Sequence, residues 1–180
     1  MKFIKNNIKN SYLIALDKYE DKRGFFARVF CKKEFSKIGI NLDIVQSNQS
    51  LTKTKGSIRG MHFQMEPFAE TKIIKCLSGT IYDVIIDLRK DSPSFNKYFG
   101  TKLSSKEKNM LIVPKGCAHG FQTLEDNTEI FYFVTQYYNP DSERGIRWND
   151  PKFKISWPIQ VTSISDKDKN WPDFDEKKIK

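Results

Sequence analysis

Gly56-Ser-Ile-Arg-Gly-Met-His-Phe-Gln64, followed after a short polar break by Lys72-Ile-Ile-Lys-Cys-Leu-Ser-Gly79, decides how this chain is read. Each run is rich in β-branched and aromatic residues, has the length of a strand, and stops at turn-forming residues. Similar runs recur outward in both directions, at 11–16, 25–31, 81–88, 99–103, 110–113, 121–124 and 130–138, with 42–46 extended. Asp21-Lys-Arg-Gly24, Asp91-Ser-Pro-Ser94, Pro114-Lys-Gly116 and Glu125-Asp-Asn127 separate them as turns or loops. Ser78-Gly79 stands directly between two runs and predicts a hairpin turn. Over 81–88, Tyr82, Val84, Ile86 and Leu88 fall on one face. Only Lys32 to Ile38, stopped by Gly39, predicts a helix. Many short strands and almost no helix indicate an all-β sandwich or barrel, and the strand–long helix alternation of a parallel sheet is absent.

The 180 residues suit one domain over 1–180, with a short polar tail from about Asp173. At 38% hydrophobic and 13% aromatic residues the chain can bury a core, so disorder is excluded. No apolar run is long enough to span a membrane, and Met-Lys-Phe-Ile-Lys-Asn-Asn lacks a signal peptide's apolar centre, so a cytoplasmic protein is expected. Cys31, Cys76 and Cys117 are odd in number and in no CxxC pattern, which predicts reduced, mostly buried thiols. The net charge of +9 comes mostly from scattered lysines, a solvated surface and not a nucleic-acid stripe. Arginine is scarce, and Arg23, Arg28, Arg59, Arg89, Arg144 and Arg147 are the better bidentate phosphate ligands.

His62 and His119 are the two histidines of the chain. That is too few for a histidine-rich metal site, and Gln64 stands where a metal-binding barrel often places another. A two-histidine iron site completed by Glu66 or Glu70 ranks below a metal-free reading. A lone strand histidine is most often a satisfied core group. Arg59 three residues away, Lys72 in the next strand, and His119 after a Pro-x-Gly turn shift His62 toward a pocket base. Strict alternation would put Arg59 and His62 on opposite faces, and Gly60 can supply the bulge that turns both inward. Tyr132 and Tyr138 should share a face of one strand, with Phe131 and Phe133 on the other. Cys117 beside His119 is read as packing, because sequence proximity does not give nucleophile–base geometry.

These residues fall in an ordered series of motifs: Asp21-Lys-Arg-Gly-Phe-Phe26, Gln46-Ser-Asn48, Ile58-Arg-Gly-Met-His-Phe-Gln64, Pro114-Lys-Gly-Cys-Ala-His-Gly-Phe121, Glu143-Arg-Gly-Ile-Arg-Trp-Asn-Asp-Pro151, Trp157-Pro158 and Ser165-Asp-Lys-Asp168. In that series the chain resembles the dTDP-4-dehydrorhamnose 3,5-epimerases, metal-independent enzymes of the cupin superfamily, from about Leu13 to Asp168. The resemblance implies a cupin jelly roll, no cofactor, and a homodimer that exchanges N-terminal strands and shares active sites. It implies a nucleotide-diphosphate sugar substrate, a nucleotide-linked 4-keto-6-deoxy sugar, inverted at C3 and C5 by acid–base enolisation. By the same resemblance His62 is the base, Asp168 its partner, Tyr132 the proton donor on the opposite face, and Lys72 the group at the C4 oxygen. Arg59, His119, Gln46, Asn48, Glu143 and Lys167 match ligand contacts, Arg23 a diphosphate contact in the neighbouring subunit, and Tyr138 the residue stacking on the base. Arg28 stands where the family commonly has a glutamate near the nucleotide, which leaves dTDP, CDP and GDP open. Phe133 replaces a common lysine. A single-position epimerase and a non-catalytic sugar-nucleotide-binding cupin are the alternatives.

Overall fold

The strands form two sheets, and several of their central strands are buried on both faces. The computed structural model describes residues 1–178. In chain order the elements are β1 (Lys2–Lys5), β2 (Tyr12–Ala15), β3 (Lys18–Asp21), β4 (Gly24–Ala27), α1 (Lys32–Ser36), β5 (Gln46–Thr52), β6 (Ser57–Gln64) and β7 (Lys72–Ser78). They continue with β8 (Thr80–Asp87), β9 (Tyr98–Ser104), β10 (Met110–Val113), β11 (Cys117–Thr123), β12 (Thr128–Val134), β13 (Glu143–Gly145), β14 (Ser163–Ile164) and α2 (Asp166–Lys169). One sheet has the order β1-β2-β10-β7-β12-β5 and the other β13-β6-β11-β8-β9, with β14 parallel to β6. The strands β3 and β4 form a separate two-stranded ribbon. This is the all-β jelly-roll architecture expected from the sequence.

Three apolar clusters explain why several strands read as unbroken hydrophobic runs. Ile74, Ile81, Ile85, Leu111, Phe121 and Ile130 fill the space between the sheets. Val84, Ile86, Leu88, Met61 and Ala118 face outward from the second sheet, under Ile146 and Phe153. Ile73, Met110, Ile112 and Ile14 face outward from the first sheet, where the buried Phe35 of α1 covers them. Burying one such phenylalanine contributes up to about 3 kcal/mol, enough to dock a helix of so few residues. The shared face of Val84, Ile86 and Leu88 is as the alternation predicted, with Tyr82 packed against the same cluster.

Several expectations need correction. Ser78-Gly79 is not a hairpin turn, because β7 and β8 belong to different sheets. It is a corner, and β8 pairs instead with β9 and β11. The strand expected over 25–31 stops at Ala27, and the extended 42–46 segment precedes a strand that runs to Thr52. The strand expected from Phe121 begins at Cys117, so His119 lies inside β11. The helix expected to reach Ile38 ends at Ser36. The strand expected to reach Tyr138 ends at Val134, so period-two alternation does not orient Tyr138. From Asp173 the chain is tied back: Asp173 pairs with Arg147 at 2.6 Å, Phe174 packs on Phe153, and Glu176 pairs with Lys152. Ile179 and Lys180, the end of the expected tail, lie outside the described residues.

Candidate active site

The site opens between the sheets, where β6 and β11 face β7, β12 and β5. Gly60 breaks the alternation of β6. Register with β11 shifts between His119 and Phe121, so that His119 pairs with His62 and Phe121 with Arg59. Gly60 has φ of +118°, and a Cβ there would lie 2.5 Å from Gly120 Cα. The bulge therefore needs glycine, and it lets Arg59 and His62 line the same cavity.

His62 is held from behind. Its Nε2 lies 2.6 Å from Asp168 Oδ1, and the other carboxylate oxygen accepts from Gly60 N–H at 3.0 Å. Ser165 caps α2 by accepting from Asp168 N–H at 3.1 Å, which fixes the backbone that carries the carboxylate. Burial pushes Asp168 up, but the hydrogen bond and charge of His62, the Gly60 N–H and the Ser165 hydroxyl together hold it below its ordinary value. Trp171 closes this corner, its ring centroid 6.3 Å from that of His62 in an edge-on arrangement and its indole over Gly145, where a Cβ would come within 2.2 Å.

Lys72 and Tyr132 stand on the facing sheet, in β7 and β12. Both line two adjoining lobes of about 260 and 270 Å³, and so does His62. Lys72 Nζ is 3.1 Å from Glu70 Oε1, and both side chains are nearly buried. Burial and the Glu70 carboxylate push the Tyr132 phenol above its ordinary value, against Arg59 and Asn48. Tyr132 pairs with Asn48 across β12 and β5, and Asn48 accepts from Gln46 Nε2 at 2.9 Å. Phe133 points the opposite way, onto Phe30 in the outer cluster.

At one end of the cleft, Tyr138 donates to Glu143 at 2.8 Å and Lys167 reaches the same carboxylate oxygen at 2.5 Å. Burial pushes Glu143 up, and Lys167 and Tyr138 outweigh it, so the group sits below its ordinary value. Arg59 donates to Thr52 Oγ1 at 2.9 Å. His119 Nε2 is 3.0 Å from each oxygen of Asp83, a fully buried carboxylate that burial pushes up against the pull of His119 and Lys72.

Eleven residues singled out from the sequence thus meet in or beside one cleft: His62, Tyr132, Asp168, Lys72, Gln46, Asn48, Arg59, His119, Tyr138, Glu143 and Lys167. Two do not. Arg23 sits at the turn of the β3–β4 ribbon, paired with Asp21 at 2.6 Å and with 84% of its side chain exposed. Arg28 donates to Glu34 at 3.1 Å beside a different cavity lined by Met1 and Phe3.

Asp83 and Trp171 were not anticipated as parts of the site, and Glu70, weighed from the sequence only as a metal ligand, lines it beside Lys72. Asp83 leaves a trace, since a single acid in Ile81-Tyr-Asp-Val-Ile-Ile86 needs a buried partner. The carboxylates considered for a metal go elsewhere: Glu70 to Lys72 and Glu66 to Lys115 at 3.3 Å. Each histidine turns Nε2 to its own aspartate, and among the described residues no three His, Cys, Asp or Glu side chains gather. Burial pushes the Cys117 thiol up to about 12, which fits packing and not a nucleophile.

The sequence model of the family described as dTDP-4-dehydrorhamnose 3,5-epimerase matches residues 5–176. The protein of that name from Shigella flexneri is 41% identical over 175 residues, covering 97% of this chain and 96% of its own length. The crystal structure of the Bacillus anthracis protein of that name, with TDP and PPi bound, superposes with a TM-score of 0.93 at 43% identity, covering 96% of this chain and 99% of that one. A Legionella pneumophila dTDP-6-deoxy-D-glucose-3,5-epimerase in complex with dTDP-4-keto-L-rhamnose superposes with a TM-score of 0.86 at 37% identity, covering 93% and 89% of the two chains.

Proposed function

The chain belongs to the dTDP-4-dehydrorhamnose 3,5-epimerase family, and on that premise we propose that it inverts C3 and C5 of a dTDP-linked 4-keto-6-deoxy sugar. The observation that carries the reading is the placement of His62 and Tyr132 on facing sheets across one cleft. Both carbons flank the C4 ketone, so removing either proton gives an enolate. His62 takes the proton from one side of the ring, and Asp168 accepts the Nε2 hydrogen and stabilises the imidazolium. The negative charge moves to the C4 oxygen, where the Lys72 ammonium holds it. Tyr132 returns a proton to the opposite side, and its raised phenol value keeps it protonated at neutral pH. Solvent then removes the proton from His62 and restores the one on Tyr132. The cycle is balanced without cofactor. Placed acid–base groups typically give ~10²–10⁴-fold.

The other contacts are assigned by resemblance and by their place along the cleft. Gln46, Asn48, Arg59, His119, Glu143 and Lys167 hold the sugar and diphosphate, and Tyr138 stacks on the base at the outer end. A homodimer with shared sites accounts for the remaining arginines. Among the described residues the β3–β4 ribbon pairs with no other strand, and it exposes Tyr19 at 72%, Phe26 at 66% and Phe25 at 48%. An aromatic ribbon of this kind calls for a covering surface, and a second copy would receive Arg23 at its diphosphate. Arg28 follows the ribbon, and comparing dTDP, CDP and GDP affinities tests its role. No helix among the described residues is long and apolar enough to cross a membrane.

Turnover in deuterium oxide, followed by NMR, tests the reading. Label at both C3 and C5 is expected. Label at one carbon would make the protein a single-position epimerase. Equal, slow conversion by wild type and His62→Ala would leave only a binding protein.

A further inference from the structure

Gln64 is the last residue of β6, two beyond His62, and is 4% exposed. Its carboxamide joins two loops at the rim of the cleft. Nε2 donates to Phe68 O at 2.9 Å and to Tyr137 O at 3.2 Å, while Oε1 accepts from Asn139 N–H at 2.6 Å. The last two bonds flank Tyr138 on either side. The backbone of Gln64 also pairs with Glu143, the residue that receives the Tyr138 hydroxyl. One side chain therefore fixes the peptide carrying Tyr138, and its strand places that ring's anchoring carboxylate. Thr71 and Thr135 join the same two loops at their bases, through Thr71 N–H to Thr135 Oγ1 at 2.9 Å.

Only an amide meets this demand. It has two donors for the carbonyls and an acceptor for the N–H, whereas a carboxylate cannot donate. A histidine at this position could bind a metal but could not make all three bonds.

We propose that Gln64 is a positioning residue for the nucleotide half of the substrate, holding Tyr138 as a fixed stacking face. The proposal rests on the reading that Tyr138 receives the base. Tyr138 is 55% exposed, so without the amide its backbone must be ordered when ligand binds. That cost falls on affinity and not on proton transfer at His62 and Tyr132.

The test is a double-mutant cycle with Gln64→Met and Tyr138→Ala, read by dTDP affinity and by the KM-against-kcat split. Losing the three bonds should raise KM and weaken dTDP by about tenfold, with a much smaller change in kcat. In the Tyr138→Ala background the same substitution should have less than about a twofold effect, because two residues acting as a unit are non-additive. Losses that multiply, or a fall in kcat at unchanged KM, overturn the proposal alone. Unchanged dTDP affinity in Tyr138→Ala overturns the stacking reading and the proposal with it. If Gln64→Met does not fold, Gln64→Glu carries the test, since it keeps the acceptor for Asn139 and loses only the two donors.

Discussion

Replacing Asp168 by asparagine changes one oxygen for one NH₂ group, yet it should damage the enzyme at least as much as removing the side chain. The carboxylate has two fixed neighbours, the Gly60 N–H at 3.0 Å from Oδ2 and His62 Nε2 at 2.6 Å from Oδ1. With aspartate both contacts are acceptor positions, so Nε2 carries the hydrogen and Nδ1 keeps the lone pair that, on the proposed mechanism, takes the substrate proton. Asparagine has one acceptor. If its oxygen serves Gly60, its NH₂ faces Nε2 and forces the hydrogen onto Nδ1, which can no longer act as a base. If it flips, NH₂ opposes the buried Gly60 N–H, an unsatisfied donor pair that costs about 1–3 kcal/mol. The wrong tautomer is the lower-energy outcome. A wrong-tautomer substitution beside a catalytic histidine lowers kcat by about 10⁴ in a serine protease, and a loss of ~10³–10⁴ is expected here. Asp168→Ala frees the ring to choose its tautomer and should be no worse. The assay is the initial rate of deuterium entry at C3 and C5 with saturating substrate. A loss below tenfold for Asp168→Asn, or an alanine variant far slower than asparagine, would refute the tautomer argument.

Other outcomes follow from the same geometry. Gly60→Ala must place its Cβ 2.5 Å from Gly120 Cα at φ of +118°, so a loss of about 1–3 kcal/mol is expected in urea unfolding; a change below about 0.5 kcal/mol would contradict the bulge. Asp168 has a folded value below its unfolded one, so its contribution is present above the ordinary aspartate range near ~4 and is lost as pH falls through the folded value. Asp168→Asn should therefore flatten the acid limb of stability, and an unchanged limb would count against the ion pair. If sites are shared, mixing and refolding inactive Arg23→Ala and His62→Ala should restore activity in hybrid dimers, which each single variant lacks; no recovery would place Arg23 in its own subunit's site.

Strand positions were legible wherever both faces of a strand are buried, as at Ser57–Gln64 and Met110–Val113, whose bounds agree with the reading. Errors arose where tertiary pairing decides. Ser78-Gly79 looks like a hairpin locally, and only the partner strands make it a corner between sheets. Tyr138 looked like a strand residue because Thr135, Tyr137 and Tyr138 are strand-favouring types, but Gln64 and Thr71 bind the backbone after Val134 instead. The convergence of Arg59 and His62 was legible because a glycine lies between them. The Asp83–His119 pair was not, since the two residues meet only through the β8–β11 register.

The Asp168 carboxylate and the Lys167 ammonium come from a short helix that follows every strand of both sheets. During translation the whole jelly roll is therefore synthesised before the histidine acquires its partner. On the proposed mechanism, a nascent chain that ends before Ser163 still lacks the carboxylate that orients its base. The carboxylate reaches His62 only when the strap from Ser163 to Trp171 settles beside β6 and over Gly145.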